Sequence, residues 1–188
     1  MVGTLTVQNL QGPTSGANAN KVIIPAGQTL DASGGTLVPS SGQVVQIKHA
    51  AITASTTFSS TSYADATGFN LAITPKYTSS VIYISIWAGA EVINTSSAQG
   101  AYDHKLLRDT TSIANRRWYN YFNNSGIPDD TYPPFVLQHY DSPNTTSTIT
   151  YKLQGRKYNA VSTSSQWIIN DSNGGSATAT MTVMEIAQ

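Results

Sequence analysis

The stretch that decides the fold is "VIYISIWA", Val81–Ala88. In an extended chain Ile82, Ile84 and Ile86 share one side, while Tyr83, Ser85 and Trp87 share the other. A period of two over this length predicts a β-strand. Both faces are largely apolar, so the strand is expected at the centre of a sheet, buried on at least one side.

The same pattern spreads outward in both directions. Val44–His49, Thr67–Thr74 (ending at Pro75), Ala101–Arg108 and Ile113–Phe122 read as strands, as do Phe135–Tyr140, Gln166–Ile169 and Thr178–Ile186. Ile149, Tyr151 and Leu153 alternate with Thr150, Lys152 and Gln154 in a half-exposed strand. The stretch "YDHKLLRDTTSIANRRWYNYF" has Thr110–Thr111 in its middle, so it reads as two strands joined at Asp109–Ser112 rather than as a helix. "NDSNGGSATAT", Asn170–Thr180, reads as a hairpin loop before the last strand, with Asn173–Gly174 at its turn. About nine strands at this spacing predict an all-β fold, a jelly-roll-like antiparallel β-sandwich.

Composition agrees. Charged residues make up 11% of the 188-residue chain, against about a quarter in typical domains. Ten basic and ten acidic residues give a net charge of +0. No basic field is available for nucleic acid or an anionic membrane. There is no cysteine, which excludes a disulfide framework and cysteine-ligated zinc. The opening "MVGTLTVQ" has neither a basic n-region nor an apolar h-region, so no signal peptide is expected. The longest apolar run, Val81–Ala90, falls far short of the roughly 20 residues that span a bilayer.

The front of the chain is different. Only Lys21 and Asp31 carry charge before Val44. In "NKVIIPAGQTLDASGGTLVPSSGQVVQI", Asn20–Ile47, short apolar pieces alternate with turns at Pro25–Gly27, Ser33–Gly35 and Pro39–Gly42. Ordering the backbone costs about 1–2 kcal/mol per residue, and one copy of this segment has little apolar surface to offset that. Three copies wound about a common axis would share a thin core of Val22, Ile24, Leu30, Leu37 and Val44. Residues 20–43 are therefore expected to form an intertwined trimeric β-stem; the alternative is a disordered Ser/Gly linker. Residues 44–188 form the head, and residues 1–19 precede the stem with their own short alternation of Val2, Leu5, Val7 and Leu10.

"SGANANKVIIPAGQTLDASGGTLVPSSGQVVQIK" resembles stem segments of fibre and appendage proteins of tailed bacteriophages, notably phages of cyanobacteria and other aquatic bacteria. "LAITPKYTSSVIYISI", "HKLLRDTTSIA", "YKLQGRK" and "MTVMEIAQ" are similar to the β-sandwich heads that follow such stems. The resemblance implies a homotrimeric virion component assembled in the host bacterial cytoplasm, held to the particle by its N-terminus, with the head outward. Residues 1–19 would then be a docking segment, Val2, Leu5, Val7 and Leu10 adding a strand to a tail, baseplate or major capsid protein; the alternative is a frayed terminus. The chain lacks a long shaft. It is expected to be a short tail fibre or fibre tip that attaches to the host; the alternatives are a trimeric capsid decoration protein and a free glycan-binding module.

Catalysis is not expected, and no cofactor or metal is implied. Asp103 and His104 are adjacent on a strand and point to opposite faces, which is wrong for a base and its orienting acid. His139 and Asp141 share a face, but no H-E-x-x-H, G-x-S-x-G or phosphate-loop motif accompanies them. Asp129–Asp130 in "GIPDDTYPP" reads as turn-capping rather than as a glycosidase pair. Binding is better supported. "RRWYNYFNNSGIPDDTYPPF", Arg116–Phe135, gathers aromatics and amides about a turn. Trp118, Asn120 and Phe122 share one strand face; Arg117, Tyr119 and Tyr121 share the other. A sugar ring of a host surface glycan could stack on Tyr119, Tyr121 or Tyr132 while Asn123, Asn124, Asp129 or Asp130 bonds its hydroxyls. The alternative is that the aromatics fill the core and the trimer interface, with Arg116 and Arg117 paired to Asp129 and Asp130.

Overall fold

A computed structural model describes residues 12–19, 21–29, 38–94, 100–120, 129–158, 166–170 and 178–188. Contacts divide the chain into two compact units, Met1–Val38 and Pro39–Gln188.

In the first unit the described residues form turns and no strand. Gln28 N donates to Pro25 O at 3.1 Å, and Gly27 sits between them at φ 80°, the backbone that glycine adopts without strain. Val22, Ile23 and Ile24 are 51%, 54% and 43% exposed. Leu30 and Leu37 of the expected stem core lie outside the described residues, as do Val2, Leu5, Val7 and Leu10.

The second unit contains eleven strands among the described residues: β1 (Val44–Ile52), β2 (Thr56–Phe58), β3 (Ala64–Ile73), β4 (Val81–Asn94), β5 (Gly100–Arg108), β6 (Thr111–Asn120), β7 (Asp129–Thr131), β8 (Pro134–Asp141), β9 (Ile149–Lys157), β10 (Gln166–Ile169) and β11 (Ala179–Ile186). β4 is the spine of one sheet. Its first half pairs with β11 on one side and β8 on the other, and its second half pairs with β10 and β7. β1 lies outside β11, and β2 lies outside β10. The other sheet has the order β3-β9-β5-β6. The chain crosses between the sheets from β2 to β3, β3 to β4, β4 to β5, β6 to β7, β8 to β9 and β9 to β10. The orders β1-β11-β4-β8 and β3-β9-β5-β6 are those of a jelly roll, two Greek keys folded face to face.

Ile82, Ile84 and Ile86 are fully buried between the sheets, as the alternation of β4 requires. They meet Met181 and Val183 of β11, Leu106 of β5, and Tyr151 and Leu153 of β9 in one core. Each buried aliphatic side chain of this size contributes roughly 1.5–3 kcal/mol. The β5–β6 hairpin turns at Asp109, φ 54°, with Arg108 opposite Thr111. Asp109 N donates to Thr150 O at 2.7 Å and Asp109 Oδ1 accepts from Thr150 N at 2.9 Å, tying the turn to β9.

Four expectations change. β4 runs on past Ala88 to Asn94, because after Gly89 it finds new partners in β10 and β7. β2, only three residues long, lies in a polar stretch with no alternation to reveal it. Asp129 and Asp130 are in strand β7, opposite Asn94 and Ile93, rather than in a turn. Val44 does not belong to the stem segment. It opens β1 opposite Ile186, and Gly42 N already donates to Ala187 O at 2.8 Å. The proposed loop around Asn173–Gly174 lies outside the described residues.

Candidate functional site

Between the edges of the two sheets, where β6 faces β8, the sandwich holds an open cleft of about 290 Å³. Tyr102 and His104 of β5, Trp118 and Arg116 of β6, Phe135 of β8 and Trp167 of β10 form most of its wall. Register places them there: Trp118 lies opposite Tyr102, and Arg116 opposite His104, so all four project between the sheets. The imidazole of His104 meets Phe135 edge-on, with centroids 5.0 Å apart, and Trp167 lies 5.7 Å from Phe135. Trp118 and Arg116 remain exposed at the rim.

Burial sets the electrostatics of the cleft. Burial lowers the pKa of His104 from 6.5 to about 4, and the nearby Arg116 cation pushes the same way. Its ring is therefore neutral near pH 7. Burial likewise raises Tyr102 to about 12, and its hydroxyl has no partner among the described residues. Among the described residues no carboxylate lines the cleft.

Asp103 points the other way, as the sequence predicts. On the outer face of its sheet it accepts from Arg117 Nε at 2.6 Å and from Arg156 Nη2 at 2.6 Å. Burial alone would raise its pKa; hydrogen bonds and charge from the two guanidinium groups more than offset this and hold it below the usual carboxylate value. Arg117 lies over the ring of Tyr158, while Lys105 and Arg156 lie over Tyr63. These contacts form a cation–aromatic platform; the side chains of Asp129 and Asp130, the expected partners of Arg116 and Arg117, lie outside the described residues. Arg117 uses Asp103 because strand register sets the two opposite each other.

Of the proposed glycan residues, Tyr132 has a described side chain, and it is not in the lining of this cleft. Tyr119 lies in β6 opposite Ala101, and Asp129 and Asp130 lie in β7. Tyr121, Asn123 and Asn124 lie outside the described residues. Tyr132 is exposed, and its hydroxyl donates to Glu91 Oε1 at 3.0 Å. The His139–Asp141 pair is not available as a unit, because both Asp141 oxygens accept from Arg108 (2.9 and 2.8 Å) and Oδ2 also from the Tyr151 hydroxyl (2.7 Å). No group of three metal-ligating side chains occurs among the described residues. Tyr102, His104 and Trp167 were not legible as a site, because two strands far apart in sequence, one from each sheet, bring them together.

No protein-family model and no curated protein matches the chain. Solved structures similar to it include the VP2 subviral particle of infectious bursal disease virus, at 19% identity and TM-score 0.36, covering 93% of this chain and 46% of that one. Another is the Gx strain of the same virus, at 14% identity and TM-score 0.35, covering 75% and 32%. T=1 particles derived from the virus match at 16% identity and TM-score 0.35, covering 88% and 41%. The chain spans less than half the length of these proteins, and no residue's role is carried over from them.

Proposed function

We propose that this chain is a non-enzymatic structural protein of a virion, a homotrimeric short appendage of the tailed-phage type whose jelly-roll head contacts the host surface. The observation that carries the reading is the exposure of Val22, Ile23 and Ile24, 43% to 54% in a single chain and without a strand partner among the described residues. Three large aliphatic side chains in a row have no reason to face water. Wrapping about identical copies covers them and supplies the missing backbone partners. The chain mass is 20.0 kDa, so light scattering of the full chain should give three times that value, about 60 kDa. A 20 kDa species at micromolar concentration would overturn the trimer.

The attachment role draws on the cleft and the cation–aromatic platform, both fit to meet a ring-bearing or anionic surface polymer. Replacing Trp118 or Tyr132 with Ala should reduce adsorption to host cells while the trimer persists; unchanged adsorption removes the receptor role from this end of the head. Val2, Leu5, Val7 and Leu10 are the proposed docking strand, and deletion of residues 2–10 should prevent incorporation into particles. A copy number of a few dozen per particle supports a tail appendage, whereas several hundred replaces it with capsid decoration.

A further inference from the structure

The two outer faces of the sandwich differ in charge. On the β3-β9-β5-β6 sheet, Asp65, Asp103, Lys105, Arg117, Lys152 and Arg156 face outward, with Lys152 on Asp65, both arginines on Asp103 and Lys105 over the Tyr63 ring. On the β1-β11-β4-β8 sheet, register lines up three outward rows. Ile47, Met184, Tyr83 and Tyr140 form one; His49, Thr182, Ser85 and Gln138 the next; Ala51, Thr180, Trp87 and Val136 the third. None of these residues is Asp, Glu, Lys or Arg. Ile47, Trp87, Val136 and Tyr140 are each more than half exposed, and the rings of Tyr83 and Tyr140 pack at 4.9 Å.

We propose that this uncharged face is the surface on which a second copy of the head packs. An uncharged face has no field with which to select a charged partner, and depletion of charge with enrichment in aromatic residues marks the core of homo-oligomer interfaces. Strand spacing and rise give the three rows a footprint of about 19 Å by 20 Å, roughly 400 Å². That is about half of the roughly 800 Å² per partner of a stable free-standing protein pair, enough for copies already held together through their stems. Connectivity favours a copy of this chain over another protein. The stem segment ends at residue 43 and β1 opens at Val44, so the head follows the stem directly in sequence. Copies joined through their stems therefore bring their heads to high local concentration.

The inference rests on the self-assembly proposed above, and the test separates the two. The chain has no cysteine, so Gln138→Cys on the uncharged face and Asn70→Cys on the charged face each introduce a single thiol. Both positions are exposed in one chain. In the full-length oligomer a maleimide should label Gln138→Cys at least tenfold more slowly than Asn70→Cys. Equal rates in protein that light scattering shows to be oligomeric overturn the head–head surface and leave the stem standing. Equal rates in a monomer overturn both. If Gln138→Cys itself prevents assembly, hydroxyl-radical footprinting of the unsubstituted oligomer reads the same surface: protection of Trp87 and Tyr140 supports the proposal, and free oxidation of both overturns it.

Discussion

The side-chain amide of Asn170 donates to the carbonyl oxygen of Ile52 at 2.9 Å, joining residues 118 positions apart. The same nitrogen reaches Ala54 O at 3.1 Å, and Asn170 N donates to Gly89 O at 2.7 Å. Ala90 N donates to Pro133 O at 3.1 Å. One transverse row thus crosses the sheet where β1 gives way to β2, β11 to β10 and β8 to β7, and Asn170 is its fully buried pin.

Replacing Asn170 tests that pin. Its φ of 57° suits Asn or Gly, so Asn170→Gly loses only the side-chain bonds, while Asn170→Ala adds backbone strain. With the buried Ile52 carbonyl left unpaired, Asn170→Ala should cost about 2–4 kcal/mol in urea denaturation, and Asn170→Gly less. Equal stability of Asn170→Ala and the parent would show that the row holds without it.

Gly155 in β9 admits no side chain. A Cβ there would stand 2.4 Å from Trp167 Cζ3 and 2.8 Å from Phe58 Cε2, and those rings are stacked at 4.8 Å in the core. Rigid rings cannot yield as a flexible side chain would. Gly155→Ala should lower stability by about 1–3 kcal/mol and change the near-ultraviolet circular dichroism of Trp167. Full retention of both would mean the sheets can part cheaply here.

Glu185 is buried and accepts from Lys76 N at 2.8 Å, Ser80 Oγ at 2.8 Å and Gln46 Nε2 at 2.7 Å. Burial would raise its pKa, but the hydrogen bonds from Gln46, Ser80 and the 76–77 backbone prevail and lower it below 4.5. A depressed carboxylate contributes stability that is complete above the unfolded-state value and lost as pH falls through the folded one. Acid unfolding should accordingly draw on Glu185 below about pH 4.5. Glu185→Ala, which strands the donors, should cost about 3 kcal/mol or more at pH 7 and flatten the acid limb.

His104 gives a second pH window. Its folded pKa of about 4 lies below the ordinary 6.5, so between those values the unfolded chain binds the extra proton. Stability from this group is complete above pH 6.5 and falls as pH drops towards 4. The drop should be about 2–3 kcal/mol after allowance for partial exposure. His104→Gln should remove the slope across that interval. An unchanged slope would place the titration elsewhere.

Much of the head was legible locally. The inward set of Ile82, Ile84 and Ile86, the hairpin at Asp109 and the opposed directions of Asp103 and His104 all follow from a period of two. The cleft was not legible. The sequence drew attention to Arg116–Phe135, and the fold did use Arg116, Trp118 and Phe135 there. It completed the wall with Tyr102, His104 and Trp167, whose approach depends on which strands pair.

The sequence by itself determined an all-β chain with an alternating head behind a glycine-punctuated front, because side-chain alternation and turn chemistry act within a few residues. Only the tertiary structure decided that the strands order as β1-β11-β4-β8 over β3-β9-β5-β6, that the second half of β4 changes partners, and that charge collects on one outer face and leaves the other bare. Pairing joins residues over a hundred positions apart, and its outcome rests on the sum of the contacts across the sheets, which no single strand carries.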